Sequence, residues 1–144
     1  MSDSYVDTDV IIRLLVRDDA RKTAEAAALF ESVEAGKLRL EAPVTVIADA
    51  VFVLSSPHLY HLARAQIRDL LVPLIRLPNF RVHDRDAVLA ALDIYSNRNV
   101  DFGDAFIVAS MGESDSDVVY SYDRDFDRFP GITRRTPSSA TGQQ

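Results

Sequence analysis

Short β-prone runs alternate with longer segments of helical period along most of the chain. The runs are Ser4-Tyr5-Val6, Leu38-Arg39-Leu40-Glu41-Ala42, residues 79–83, Val118-Val119-Tyr120-Ser121-Tyr122 and Gly131-Ile132-Thr133. Most of the intervening stretches are too long for hairpins and long enough for crossover helices. The strands are therefore expected to run parallel, with helices packed against them. The expected architecture is α/β, a three-layer α/β/α sandwich with a mainly parallel central sheet. At 144 residues the chain supports one core and not two. Residues 1–136 read as a single domain and 137–144 as a frayed tail.

Val10-Ile11-Ile12 and Leu14-Leu15-Val16 predict a helix directly after the first strand, which leaves Asp7 at that strand's C-terminal edge. Asp18 offers an N-cap for a second helix that Gly36 ends. Pro43 suits the first turn of a third helix reaching about Ser56. Leu59, Leu62, Ala63, Ile67, Leu70 and Leu71 share one stripe and predict an amphipathic fourth helix, ending or kinking near Pro73. Asp84 or Asp86 caps a fifth helix, a sixth starts near Asp101, and residues 123–129 read as an acidic turn or a single helical turn.

The net charge of −6 argues against a basic nucleic-acid clamp, so any phosphate ligand has to overcome that field locally. With no Cys, there is no disulfide framework, thiol nucleophile or cysteine metal site, and His58, His61 and His83 lack zinc-motif spacing. Any metal has to sit on oxygen. No apolar run approaches the roughly 18 to 20 residues that span a bilayer, and Met1-Ser2-Asp3-Ser4 does not begin a signal peptide. A cytoplasmic protein without membrane association is the expectation.

Of the 22 acidic residues, four Asp stand in apolar surroundings, where an unpaired carboxylate is expensive. Asp7 closes the first strand, with Thr8 and Asp9 next; Asp7 or Asp9 either caps the following helix or holds a ligand. Asp49 interrupts Val44-Thr45-Val46-Ile47-Ala48-Asp49-Ala50-Val51-Phe52-Val53-Leu54, so it lies either on a narrow solvated stripe with Thr45 and Ser56 or in a cavity. Asp101 and Asp104 have near capping-box spacing, which allows Asp101 to cap and Asp104 to bind a cation. Asp123 ends the fourth strand two residues after Ser121, either as a turn former or as a ligand. Asp125 and Asp127 read as solvated.

Strand-end, mid-helix and helix-start carboxylates in this order can converge on one oxygen-rich pocket at the carboxyl ends of the strands. Such pockets suit Mg²⁺ or Mn²⁺, and two such ions about 3.5 to 4 Å apart assist phosphodiester hydrolysis. Arg13, Arg17, Arg124 and Arg128 are candidates for contacts to phosphate at the rim.

Tyr5-Val6-Asp7-Thr8-Asp9-Val10-Ile11, Asp49 in its apolar helix, Asp101-Phe102-Gly103-Asp104-Ala105-Phe106-Ile107 and Ser121-Tyr122-Asp123-Arg124-Asp125-Phe126 together resemble a PIN domain, specifically a VapC-type toxin. The resemblance covers roughly residues 4–135. It implies an α/β/α sandwich, Mg²⁺- or Mn²⁺-dependent endoribonuclease activity on RNA, a homodimer, and inhibition by a cognate antitoxin protein. By this resemblance Asp7, Asp49, Asp104 and Asp123 match the family's catalytic and metal-binding acids, while Thr8 and Ser121 match its supporting hydroxyls. The family usually carries Glu where Asp49 stands and commonly Asn where Asp9 stands. A ligand one methylene shorter keeps a second reading in view, an interaction module on the PIN scaffold with weak or no nuclease activity. Asp7-Thr8-Asp9 is also similar to the Asp-x-Asp of haloacid-dehalogenase-like phosphatases, but neither Lys22 nor Lys37 stands in a late motif.

Overall fold

The computed structural model describes residues 3–138. In chain order the elements are β1 (Ser4–Tyr5), α1 (Thr8–Val16), α2 (Ala20–Glu34), β2 (Leu40–Ala42), α3 (Val44–Ser55), α4 (Arg64–Ile75), β3 (Phe80–Val82), α5 (Arg85–Asn97), α6 (Phe102–Glu113), β4 (Val118–Tyr120), a 3₁₀ segment (Arg124–Arg128) and β5 (Thr133–Arg135). The fold is α/β and every strand pair is parallel: β1, β2 and β3 form one ladder in that order, and β4 pairs with β5. Among the described residues no helix is long and apolar enough to cross a membrane. Of the expected tail at 137–144, only residues 137 and 138 fall among those described.

Helix pairs join β1 to β2, β2 to β3 and β3 to β4, as parallel pairing demands. The period-2 rule divides β1–β3 into two faces. Leu40, Ala42, Phe80 and Val82 point inward and are buried, while Tyr5, Glu41 and Arg81, in register across the three strands, point the other way. The core adds Ile11, Ile47, Leu54, Ile67, Leu71, Val88 and Leu92 from the helices, and Phe30 meets Phe80 edge to face at 5.4 Å.

Local chemistry explains most boundaries. Helix α2 ends in a Schellman motif: Gly36 at φ +80° donates to Val33 O and Lys37 to Ser32 O. A Cβ at Gly36 would meet nothing closer than 3.8 Å, so glycine serves the backbone angle there and not the space. Asn79 donates from Nδ2 to Val33 O at 3.1 Å, tying the start of β3 to the end of α2.

Several expected boundaries shift. Asp19, not Asp18, caps α2, accepting from Lys22 N at 3.0 Å. Helix α4 starts at Arg64, not near Leu59: the Ser56 carbonyl accepts from both Leu59 and His61, His61 takes a left-handed φ of 49°, and Leu59 is exposed. The stripe continues on Ile67, Leu71, Leu74 and Ile75, with Pro73 tolerated in the last turn. Asp84 and Asp101 both occupy N-cap positions, yet neither side chain makes a capping bond, so the expected capping box at Asp101 and Asp104 does not form. Strand β4 stops at Tyr120, which leaves Ser121 beyond it.

Candidate metal centre

The carboxyl end of β4 and the first turn of α6 meet in an acidic group. One carboxylate oxygen from each of Asp104, Asp123 and Asp125 lies within 4.8 Å of the other two. The chain leaving β4 is shaped by its own side chains. Ser121 Oγ accepts from Asp123 N–H at 2.9 Å, and Asp123 Oδ1 accepts from Asp125 N–H at 2.9 Å, which opens the 3₁₀ segment. This turn puts Asp123 and Asp125 on the same side of the chain, facing the α6 terminus.

Asp125 was not expected in this group. Its signal was the Asp-x-Asp spacing after a strand end, where the first Asp nucleates a turn that turns the second back beside it. Asp127 is exposed and pairs with Arg134 at 3.0 Å.

Electrostatics sets the character of the group. Partial burial, the like charge of Asp123 and a hydrogen bond with it, and the further charges of Asp101 and Asp125 raise the Asp104 carboxyl above its ordinary value. Arg128 Nη2 stands 3.7 Å from Asp125 Oδ1.

Asp7 and Asp49 line a different place. Asp7 caps α1, its Oδ1 accepting from Thr8 N at 2.7 Å, and Thr8 Oγ1 donates to Val46 O on α3 at 3.3 Å. Asp7, Thr8, Asp9, Asp49, Phe52 and Tyr60 line a cavity of about 510 Å³. Among the described residues no charged side chain is buried; Asp7 and Asp9 are exposed at the start of α1 and Asp49 is exposed in the middle of α3. Asp49 is exposed on α3 with Thr45 and also lines the cavity, whereas Ser56, expected on the same stripe, lies past the helix end as its extended C-cap.

The four expected acids thus lie in two places, Asp104 and Asp123 in the acidic group, Asp7 and Asp49 in a cavity of their own. Phe52 also lines a second cavity of about 650 Å³ with Asp101, Phe102 and Gly103 at the α6 N-terminus. Of the candidate rim arginines, Arg13 is engaged with Asp18 at 2.8 Å, Arg17 takes the left-handed C-cap of α1, Arg124 is exposed, and Arg128 donates to Asn99 O at 2.7 Å.

The PIN domain profile matches residues 4–132, and the chain belongs to the PIN-domain family. No curated protein matches it. PIN domains are generally Mg²⁺-dependent nucleases acting on RNA, and the family typically binds Mg²⁺ or Mn²⁺. The acidic group fits such an ion. Its donors are hard oxygens, and ligand bonds of about 2.1 Å put the oxygens of an octahedron about 3 to 4.2 Å apart, a span that three oxygens lying within 4.8 Å of one another can supply. A divalent cation would also offset the burial and the mutual repulsion that together raise Asp104.

Proposed function

We propose that this PIN-domain protein is a metal-dependent endoribonuclease and the toxin of a toxin–antitoxin pair. The observation that carries the reading is the meeting of Asp104, Asp123 and Asp125 oxygens within 4.8 Å at the end of a parallel strand. Asp104 and Asp123 would hold the ion directly, Asp125 would complete the donor set, and Asp7 and Asp49 would act on the ion or its water from the cavity they line. When bound, Mg²⁺ or Mn²⁺ supplies Lewis-acid activation of water and stabilises the charge developing on phosphate oxygens.

The chain's own residues prepare the site. Ser121 fixes the Asp123 backbone and Thr8 ties the Asp7 turn to α3, so both hydroxyls orient carboxylates and do not attack. Asp9 and Asp101 add negative charge beside their neighbours and strengthen cation capture. Two divalent ions would change the net charge from −6 to −2, which lowers the barrier to an anionic substrate. Arg17 and Arg124, and Arg13 if it leaves Asp18, supply contacts to the RNA backbone. Cleavage leaves a 5′-phosphate and a 3′-hydroxyl. The active form is a homodimer in the cytoplasm, silenced by a cognate antitoxin.

The test is induced expression in bacterial cells, with sequencing of RNA 5′ ends. The wild type is expected to arrest growth and to accumulate discrete 5′-phosphorylated fragments; Asp104→Asn does neither. Equal arrest and equal fragments from both proteins would remove Asp104 from the chemistry. Arrest without new fragments would favour the interaction-module reading.

A further inference from the structure

Two crossed arginines join the α5–α6 turn to the 3₁₀ segment. Arg98 donates from Nη1 to the carbonyl of Arg128 at 3.1 Å, and Arg128 donates from Nη2 to the carbonyl of Asn99 at 2.7 Å. Each side chain therefore grips the backbone beside the other. The Arg98 guanidinium also lies over the ring of the buried Phe129, 4.9 Å from its centroid, which limits its freedom to swing away.

The gripped segments are the two that carry the acidic group. Residues 98–100 lead directly into Asp101 and Asp104; Arg128 closes the segment that carries Asp125 and follows Asp123. The turn itself is anchored from α4. Arg64 donates from Nη1 to the carbonyls of Tyr95, Arg98 and Val100 at 3.0, 3.1 and 2.7 Å, and stacks over the Tyr95 ring at 4.3 Å. Without a cation the clustered carboxylates push these two segments apart, so something in the fold has to hold them together.

We propose that Arg98 and Arg128 are positioning residues of the acidic centre, a clasp that keeps Asp104 facing Asp123 and Asp125 so that a divalent cation meets an assembled donor set. The inference rests on reading that centre as a metal site. It also opposes a simpler role for Arg128, as a counter-charge 3.7 Å from Asp125. The two roles predict opposite signs. If Arg128 only neutralises Asp125, its removal leaves a more negative centre and tightens cation binding. If it holds geometry, its removal weakens binding, as loss of groups that orient metal ligands does, by roughly tenfold or more.

The experiment uses the full chain and Mn²⁺ alone as probe. Affinity is measured by titration calorimetry for wild type, Arg98→Gln, Arg128→Gln and Arg98→Lys, with amide hydrogen exchange at residues 99–105 and 123–127 of the metal-free proteins. Both Gln variants are expected to bind Mn²⁺ roughly tenfold more weakly. Both are also expected to exchange faster in both segments while the core amides stay protected. Arg98→Lys, which keeps a donor and its charge, recovers part of the affinity and serves as the test if a Gln variant fails to fold. Wild-type binding with unchanged or tighter binding in the variants overturns the clasp and leaves the metal centre standing. No Mn²⁺ binding by wild type overturns the metal reading and with it the clasp's part in cation capture, and unchanged exchange in the variants overturns the clasp whatever wild type binds.

Discussion

Asp104→Asn is expected to be more stable than wild type without metal and less stable than wild type with Mn²⁺ bound. In Asp104→Asn the side chain keeps its shape, but two like charges no more than 4.8 Å away lose their repulsive partner. At the dielectric constant of water each such pair costs about 0.9 kcal/mol, or about 1.7 for two. Opposing this, a carboxylate in the first turn of α6 gains roughly 0.5 kcal/mol from the helix dipole, which the amide forfeits. The balance at low ionic strength is a gain of about 1 kcal/mol, which for a domain of this size raises Tm by roughly 3 °C. Salt near 0.15 M reduces the gain by about half, because its Debye length of about 8 Å is comparable with the separation.

Mn²⁺ reverses the comparison. At one hundred times its Kd a ligand that binds only the folded protein stabilises it by about 2.7 kcal/mol, a benefit reserved for wild type. Scanning calorimetry of both proteins, with and without Mn²⁺ and at two salt concentrations, reads all of this. A metal-free Asp104→Asn protein less stable than wild type, or equal Mn²⁺ shifts in both, would refute the reasoning.

Three other perturbations probe the scaffold. Arg64→Met keeps the aliphatic stem but withdraws a donor from the carbonyls of Tyr95, Arg98 and Val100; it is expected to cost about 2 to 3 kcal/mol in urea unfolding, and a loss below about 0.5 would mean water replaces the guanidinium. Leu54→Ala, at a fully buried position on α3, is expected to cost roughly 3 to 5 kcal/mol in the same assay, and a cost near 1 would mean the core collapses around the gap. Hydrogen bonds from Tyr60 and Arg13 hold the Asp18 carboxyl below its ordinary value, so its contribution is complete above about pH 4 and is lost as pH falls through the folded-state value. Urea midpoints of wild type and Asp18→Asn are therefore expected to differ by a constant amount from pH 5 to 7 and to converge on acidification; a gap that widens in acid contradicts this.

Much of the fold was legible because its signals are local. Among the described residues, alternation of β-prone runs with helical periods placed the first four strands and all six helices, the fifth strand falling at Thr133–Arg135 and overlapping the expected 131–133 only at Thr133, and Gly36 marked a helix end that its positive φ requires. The misplaced boundaries share a cause. Asp18 and Asp19 are both competent caps, and the choice fell to Asp19 because Asp18 is drawn to Arg13 on α1 and to Tyr60 far along the chain. Leu59 fits the stripe of α4, but the Ser56 carbonyl captures the intervening amides and a helical period cannot register that competition.

The candidate site divides along the same line. The sequence by itself determined which carboxylates stand at strand ends and helix starts, because Asp7, Asp104 and Asp123 are placed by short-range pattern alone. It also determined that any metal must sit on oxygen, since the chain has no Cys and its three His lack zinc-motif spacing. Tertiary structure decided which carboxylates meet. Asp125 joins Asp104 and Asp123 because a turn made by Ser121 and Asp123 directs it there, and because Arg98 and Arg128 bind residues nearly thirty positions apart. Asp7 and Asp49 instead share a separate cavity, since α1 packs on α3. Proximity between like charges has no local signature: it is imposed by packing and hydrogen bonds formed elsewhere, which hold together groups that would separate if left to themselves.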